Sequence, residues 1–496
     1  MYKISYNKII EIYRKMNVMK TTAINKTDAY YEKMTTTPLT KLIVSLGIPT
    51  TISMLVTSIY NMVDTYFVGT LGESQQAATG ILFTLQAIIQ AIAFMLGQGS
   101  GTMVSKALAD KNTEEASEYV STGFFTGAFL GIVLAVAGLL CLTPFMLLLG
   151  STQTILPYAK QYGACVLLMS PVVICSFVLN NNLRYEGKAF YSMIGLVSGG
   201  IINIFGDYML IKVIPLGVLG AGIATAVSQL ISFLILLYFY RKMAQGCIRF
   251  SYVSRKLSVY LTIFRVGMPA LIRQGLSSFS NGLLNNLTRP YGDAAIAAMS
   301  VVNRFTAFVM CVGLGIGQGF QPVAGFNYQA KKYDRVKKGL LVTMVIGLGL
   351  VCCLAVPGLV FAEKIVYLFQ KSDAVVEIGT FALRCSSIGV MFMPISVPVN
   401  MLYQSIRKPA VSSFLSLLRS GLMLIPMLLI STYFWGLRGI QISQPFADMM
   451  TGLISIPFIV HFLRKKQFSA HARTGVSGFN AGNNQGNLLG GCKILP

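Results

Sequence analysis

The chain has 496 residues, of which 54% are hydrophobic and only 11% charged, less than half the charged share of an ordinary soluble domain. With a mean hydropathy of +0.65, so few charges cannot coat a soluble surface of this size; that excludes a soluble enzyme, a secreted scaffold and a disordered regulator, and leaves a polytopic membrane protein. The 40 Lys and Arg against 17 Asp and Glu give a net charge of +23, and in a membrane chain that excess belongs first to cytoplasmic loops rather than to nucleic acid.

Residues 1–37 read as a basic cytoplasmic lead, in which Met16, Met19 and Met34 leave the start codon open. No apolar core followed by a small-residue cleavage site marks a signal peptide there. Twelve apolar stretches follow, at 41–68, 77–99, 119–143, 160–183, 192–212, 217–240, 259–287, 295–321, 339–361, 376–403, 410–433 and 437–463. Each suits a spanning helix of about 20 residues, and all are too continuously apolar for barrel strands. Beyond 464 the chain turns rich in Gly and Asn, a composition expected to be disordered.

With the N-terminus inside, the loops between spans hold sixteen Lys and Arg on the cytoplasmic side, including Arg241, Lys242, Arg249, Arg255 and Lys256 and the run Lys331 to Lys338. The opposite loops hold Lys212, Arg289, Lys364, Lys371 and Arg438, with Lys160 at a boundary. This asymmetry predicts both termini in the cytoplasm and an even number of spans. His461 and His471 are the only histidines and the nine Cys form no CxxC pair, so neither a metal centre nor a disulfide framework is expected.

One constant shift in the numbering lays the chain on itself. It brings Pro49 onto Pro269, Asn61 onto Asn281, Gly97-Gln98-Gly99 onto Gly317-Gln318-Gly319, Asn180 onto Asn400 and Ser192 onto Ser412. The predicted fold is therefore all-α and integral to the membrane, with twelve transmembrane helices in two six-helix lobes related by an internal repeat. Its parts are the lead (1–37), an N-lobe (38–240), a cytoplasmic linker (241–258), a C-lobe (259–463) and the tail (464–496). Six spans per half gives both lobes one orientation, and transporters built from such repeats bind near the midplane and rock one half against the other.

Ionisable residues inside a span are costly and point to function. Three acids fall there: Asp64, Asp207 and Asp448. Counted from the cytoplasmic ends of their helices at about 1.5 Å per residue, Asp64 and Asp207 reach similar depth. Tyr60 and Asn203 stand one turn before them on the same faces, with Asn180 and Thr225 in neighbouring spans. The repeat shift maps Asp64 to Leu284 and Asp207 to Met427, so the acid pair belongs to the first half alone. Two carboxylates in low dielectric cannot both stay charged at no cost, which suits reversible proton binding; the bland alternative is that each bonds a neighbouring helix. Asp448 lines the cavity or pairs with one of Arg273, Arg304, Arg384 and Arg419. The Gly313–Gly319 run follows no strand and there is no Walker A sequence, so nucleotide-driven transport is not expected.

The motif Pro49…Tyr60-Asn61-Met62-Val63-Asp64-Thr65-Tyr66-Phe67-Val68-Gly69, with Asn180…Leu183-Arg184-Tyr185-Glu186-Gly187, Asn203-Ile204-Phe205-Gly206-Asp207 and Gly217-x-x-Gly220-Ala221-x-Ile223-Ala224-Thr225, resembles the multidrug and toxic compound extrusion (MATE) family over roughly 38–463. The resemblance implies a first-lobe site for a proton or sodium at Asp64, Asn180, Asn203, Asp207 and Thr225, bordered by Tyr60, and a bend of the first helix at Pro49. Acids found in the seventh and tenth helices of some members are replaced here by Asn281, Asn285, Asn286 and Asn400, so the chain looks most like the DNA-damage-inducible-F-like and multidrug bacterial branch.

The expected function is a secondary antiporter of the cell membrane that exports organic, often cationic compounds against proton or sodium influx. It would be a monomer with no bound cofactor, its substrates being small molecules, its surroundings the lipid bilayer, and nucleic acid playing no part. Asn281, Asn285, Asn400 and Asp448 are candidate cavity residues. The alternatives are a lipid-linked oligosaccharide flippase of the same superfamily, which should line its cavity with basic residues, and an integral-membrane enzyme, for which no convergent catalytic set appears.

Overall fold

The structure is a computed structural model that describes residues 27–369 and 372–464. Among the described residues every regular element is a helix. In chain order they are α1 (27–36), α2 (Leu39–Gly69), α3 (Glu73–Ala109), α4 (Thr113–Leu140), the short α5 (Leu142–Leu148), α6 (Leu156–Tyr185), α7 (Ala189–Asp207) and α8 (Gly217–Met243). The second half holds α9 (Leu257–Thr288), α10 (Asp293–Gln329), α11 (Tyr333–Val360), the short α12 (Ala362–Phe369), α13 (Asp373–Val390), α14 (Met393–Ser405), α15 (Pro409–Leu417), α16 (Leu424–Trp435) and α17 (Leu437–Arg464). π-Helical turns over Tyr208–Val213 and Leu418–Met423 extend α7 and join α15 to α16.

Ten of these helical stretches are long and apolar enough to cross a membrane, and eleven if α13 and α14, bent by 46°, count as one span. α9 has the length, at 32 residues, but Arg265, Arg273 and Gln274 dilute its apolar run. The expected twelve is therefore not reached on apolarity alone. Element bounds recur across the chain: the shift that lays Pro49 on Pro269 also carries both ends of α3 onto those of α10, and both ends of α4 onto those of α11. The left-handed residues Lys111 and Lys331 follow the same spacing, as do Gly187 and Arg407.

Within each half the helices pack as a bundle, and the halves meet mainly through α2 against α10 and α3 against α9. Glycines allow these backbones to touch. A Cβ on Gly267 would run into the Met95 carbonyl, and one on Gly319 would sit 2.5 Å from Gly47 Cα. These approaches gather toward the side of the molecule that carries α1 and the end of α17; farther along, Ser58 Oγ and Cys311 Sγ stand 3.4 Å apart across the halves.

α1 lies on that same side and touches both halves. The Tyr30 hydroxyl donates to the Tyr185 carbonyl (3.1 Å) and Lys111 pairs with Asp28 (2.6 Å). From the second half, Asn327 Nδ2 donates to the Met34 carbonyl (3.1 Å) and Arg335 to the Thr37 carbonyl (2.7 Å). Part of the expected lead is thus an ordered helix; residues 1–26, and the expected tail from 465, lie outside the described residues. The link between α8 and α9 is laced down as well. Glu186, at the turn between α6 and α7, accepts from the Tyr240 hydroxyl (2.9 Å) and from the Gln245 (2.5 Å) and Gly246 (3.4 Å) amides.

Candidate functional site

α2 brings Asp64 into the interior of the first half, where it is 6% exposed. α7 and α2 come close because Gly200 leaves room for Val56 and Tyr60: a Cβ there would lie 2.8 Å from Val56 Cγ1 and 3.1 Å from Tyr60 Cδ1. Gly206 does the same for Ala224 on α8. α7 ends on Asp207, fully buried, where the chain passes into the first π-helical turn; such turns recur at functional sites.

Tyr162 on α6 ties the group together. Its hydroxyl donates to Asp64 Oδ2 (2.9 Å) and lies 3.0 Å from Thr225 Oγ1. Asn203 Nδ2 donates to the same Thr225 hydroxyl (3.2 Å). Asp207 lies within electrostatic range of both Asp64 and Tyr162. Asp64 Oδ1, Asn203 Oδ1 and both Asp207 carboxylate oxygens are buried without a hydrogen-bond partner. Buried oxygens left bare are costly, and two neighbouring carboxylates have a common remedy in a proton or a small cation. Beside them a cavity of about 40 Å³, open to the centres of water-sized molecules, is lined by Tyr60, Gln90, Thr225 and Gln229 among others.

Asn180 is close in sequence pattern but differently employed. Its amide donates to the Ser192 carbonyl (3.2 Å) and hydroxyl (2.5 Å), and Asn400 makes the matching bond to the Ser412 carbonyl (2.9 Å). These two asparagines pin a helix to the start of the next in each half. Pro49 lies inside an unbroken α2. Thr50 and Ser53 hydroxyls there bond back to the Leu46 and Pro49 carbonyls, at 2.8 and 2.9 Å.

In the second half Asp448 is paired with Arg419 (2.6 Å) and also accepts from Gln444 (3.2 Å). Arg304 and Arg384 are exposed. Arg273, Asn400 and Arg419 line a second cavity of about 40 Å³. Asn281 and Asn285 are exposed on the far part of α9 and line none of the described cavities. Arg184 donates across the halves to Gln318 and, within its own helix, to Asn181 Oδ1 (2.6 Å).

A family model described as MatE matches the chain twice, over residues 49–209 and 269–430. The chain belongs to the MatE family. It is 26% identical over 441 residues to the multidrug export protein MepA of Staphylococcus saprophyticus and 27% identical over 440 residues to the protein of that name from Staphylococcus aureus. Each alignment covers 88% of this chain and 96% of the relative. Among solved structures it resembles the outward-facing conformation of a multidrug resistance MATE family transporter of the MOP superfamily, with a TM-score of 0.82, 23% identity and coverage of 89% of this chain and 98% of that one. A MATE in the straight conformation gives the same TM-score. At such identity the likeness to solved structures is one of fold. These relatives are named as transporters, and the MatE assignment carries no enzyme chemistry.

The two MatE stretches contain every residue of the acid group except Thr225. The residue that the sequence does not disclose is Tyr162: a tyrosine in an apolar run is ordinary, and the repeat shift puts Ala382 opposite it. The Arg184–Gln318 contact also goes unforeseen, although Gln318 stands in the repeated Gly-Gln-Gly motif.

Proposed function

We propose that this MatE protein is a multidrug exporter and a secondary antiporter, moving organic, often cationic compounds out of the cell against proton or sodium influx. The observation that carries the reading is the buried acid pair with its bare oxygens, on one half only, in a family whose relatives here are named for multidrug export. Asp64 and Asp207 take up the coupling cation, Asn203 and Thr225 complete its surroundings, and Tyr162 and Tyr60 border it. Asn180 holds α6 to α7 behind the site. Pro49 removes one amide from α2 and gives that helix a place to bend. Filling the site neutralises the carboxylates, which releases drug and favours return to the inward-facing state; no cofactor takes part.

The same reading counts twelve spans, with α9 as the seventh, in an N-lobe (38–240) and a C-lobe (259–463) joined by the linker 241–258. The recurring element bounds support the repeat, and so do the two MatE stretches, which begin at the paired positions 49 and 269. Both termini are cytoplasmic by the loop charges, so the halves touch on the cytoplasmic side and the described conformation faces outward. The working unit is a monomer in the cell membrane. The flippase alternative draws on one observation, the arginines lining the second cavity; the relatives' names favour drug export.

The test is drug efflux from vesicles with proton and sodium gradients imposed separately. Wild type should export under at least one gradient, and Asp207→Asn, which keeps shape but cannot ionise, should export under neither while eluting as a folded monomer. Export by Asp207→Asn at the wild-type rate would overturn the coupling assignment.

A further inference from the structure

We propose that a small cavity between α2, α6, α7 and α8 is a water-filled relay that carries the coupling proton from the acid pair toward the cytoplasm within the first half, so that proton and drug travel by separate routes. The proposal rests on the antiport reading above and names, of its two coupling ions, the proton.

The cavity offers about 20 Å³ to the centres of water-sized molecules, and Thr57, Ser176, Leu196, Gly199 and Ser232 are among its walls. One water needs roughly 10–15 Å³ on that measure, and two to four polar partners. The partners are present. Ser176 Oγ is buried without a hydrogen-bond partner. The Ser232 hydroxyl donates to the Gly195 carbonyl (2.8 Å) and that of Thr57 to the Ser53 carbonyl (2.8 Å), which leaves both oxygens able to accept. Gly199 keeps the space open: a Cβ there would lie 2.8 Å from Ser232 Cβ.

Its place joins it to the acids. Tyr60, Phe177 and Gln229 line both this cavity and the larger one beside the acid pair, and the Tyr60 hydroxyl approaches the Gln229 amide. Thr57 and Gly199 precede Asp64 and Asp207 by seven and eight residues, about 10–12 Å toward the side that carries α1. Ser232 follows Thr225 by seven residues on α8, which runs the other way. A proton leaving either carboxylate therefore passes to water in the larger cavity and by the Tyr60 hydroxyl to water in the smaller one. Each oxygen on the way takes one proton as it gives one up, and the carboxylate is left charged. One turn farther stand Asn180 and Ser192, bonded at 2.5 Å. Leu236, whose Cδ2 would lie 2.4 Å from a Cβ on Gly195, closes that end in the described conformation. The repeat shift lays Gly199 on Arg419 and Gln229 on Met449, so the second half fills the place of the glycine and loses the amide, just as it lacks acids at the paired positions.

The full-length chain in proteoliposomes, with pyranine trapped inside and ethidium at saturating concentration, reports proton and drug flux together. Ser176→Val should slow both fluxes roughly tenfold, the effect of losing one hydrogen bond to the relay water. Ser176→Thr, which has the same shape as valine but keeps the hydroxyl, should run at the wild-type rate, and ethidium affinity in detergent should be that of wild type in both. Equal fluxes in the two variants, fast or slow, overturn the relay. Should Ser176→Val not fold, Gln229→Met is read in its place: slower flux at saturating ethidium supports the relay and wild-type flux overturns it. If wild type exports ethidium on a sodium gradient and moves no protons, only the relay falls; if it exports on neither gradient, the export reading falls and takes the relay with it.

Discussion

The Tyr162 hydroxyl reaches both Asp64 on α2 and Thr225 on α8, so its removal has a consequence that depends on Asp64. Tyr162→Phe leaves Asp64 Oδ2 as bare as Oδ1, which should cost about 1–3 kcal/mol of stability. In Asp64→Ala the same substitution should cost much less, because the acceptor is gone. Thermal unfolding of the four proteins of this cycle measures the difference, and additive losses would show that the bond carries no energy. Glu186 invites a pH experiment. Burial pushes its carboxyl up to about 7, against the pull of hydrogen bonds from Gln245, Tyr240 and Gly246. Between its ordinary value of 4.5 and about 7 the folded protein therefore holds a proton that the unfolded chain has lost, and stability falls as pH rises through that window. The melting temperature of Glu186→Gln should lose this part of the slope; a slope identical to wild type refutes the assignment. The sequence discloses Asp64, Asp207 and Asp448 because acids are rare in apolar runs. It does not tell Asn180 from Asn203, since an amide looks the same whether it donates to Thr225 beside the acids or is spent on Ser192.

At the scale of helices, the twelve apolar stretches anticipate α2 to α4, α6 to α11, the α13–α14 pair, the α15–α16 run and α17. Apolarity over about 20 residues is a strong local signal. The features within those stretches are not legible in the same way. A π-helical turn at Tyr208–Val213 or Leu418–Met423 changes pitch without changing hydropathy, and the 46° break between α13 and α14 falls inside one continuous apolar run. α1 escapes notice because it is short and polar by composition; its Tyr30 and Met34 are buried against parts distant in sequence. The close crossing of α3 and α9 makes its own prediction. Gly267→Val places a branched side chain where the Met95 carbonyl already stands, and overpacking of this kind costs about 1–3 kcal/mol. Because the crossing joins the halves, the variant should melt lower and should leave residues near position 99 more reactive to water-soluble thiol reagents when replaced by cysteine. Unchanged melting and labelling would mean that the halves do not bear on each other there.

For the molecule as a whole, alternating access requires the contact between α2 and α10 to open and close. Ser58 and Cys311 stand 3.4 Å apart across it, so Ser58→Cys, in a chain stripped of its other cysteines, should form a disulfide with Cys311 on oxidation. Efflux from vesicles should then stop and return on reduction; full export by a quantitatively cross-linked protein would show that these helices need not part. α1 adds a condition to the same movement. One short helix grips the first half through Tyr185 and Lys111 and the second through Asn327 and Arg335. If the halves separate on that face, α1 must leave one of them behind in every turnover. The polar grip on either side is one or two hydrogen bonds or an ion pair, at about 1 kcal/mol for each bond, added to the burial of Tyr30 and Met34: firm enough to set how long the transporter dwells with that face shut, and slight enough to be undone each time a cargo leaves.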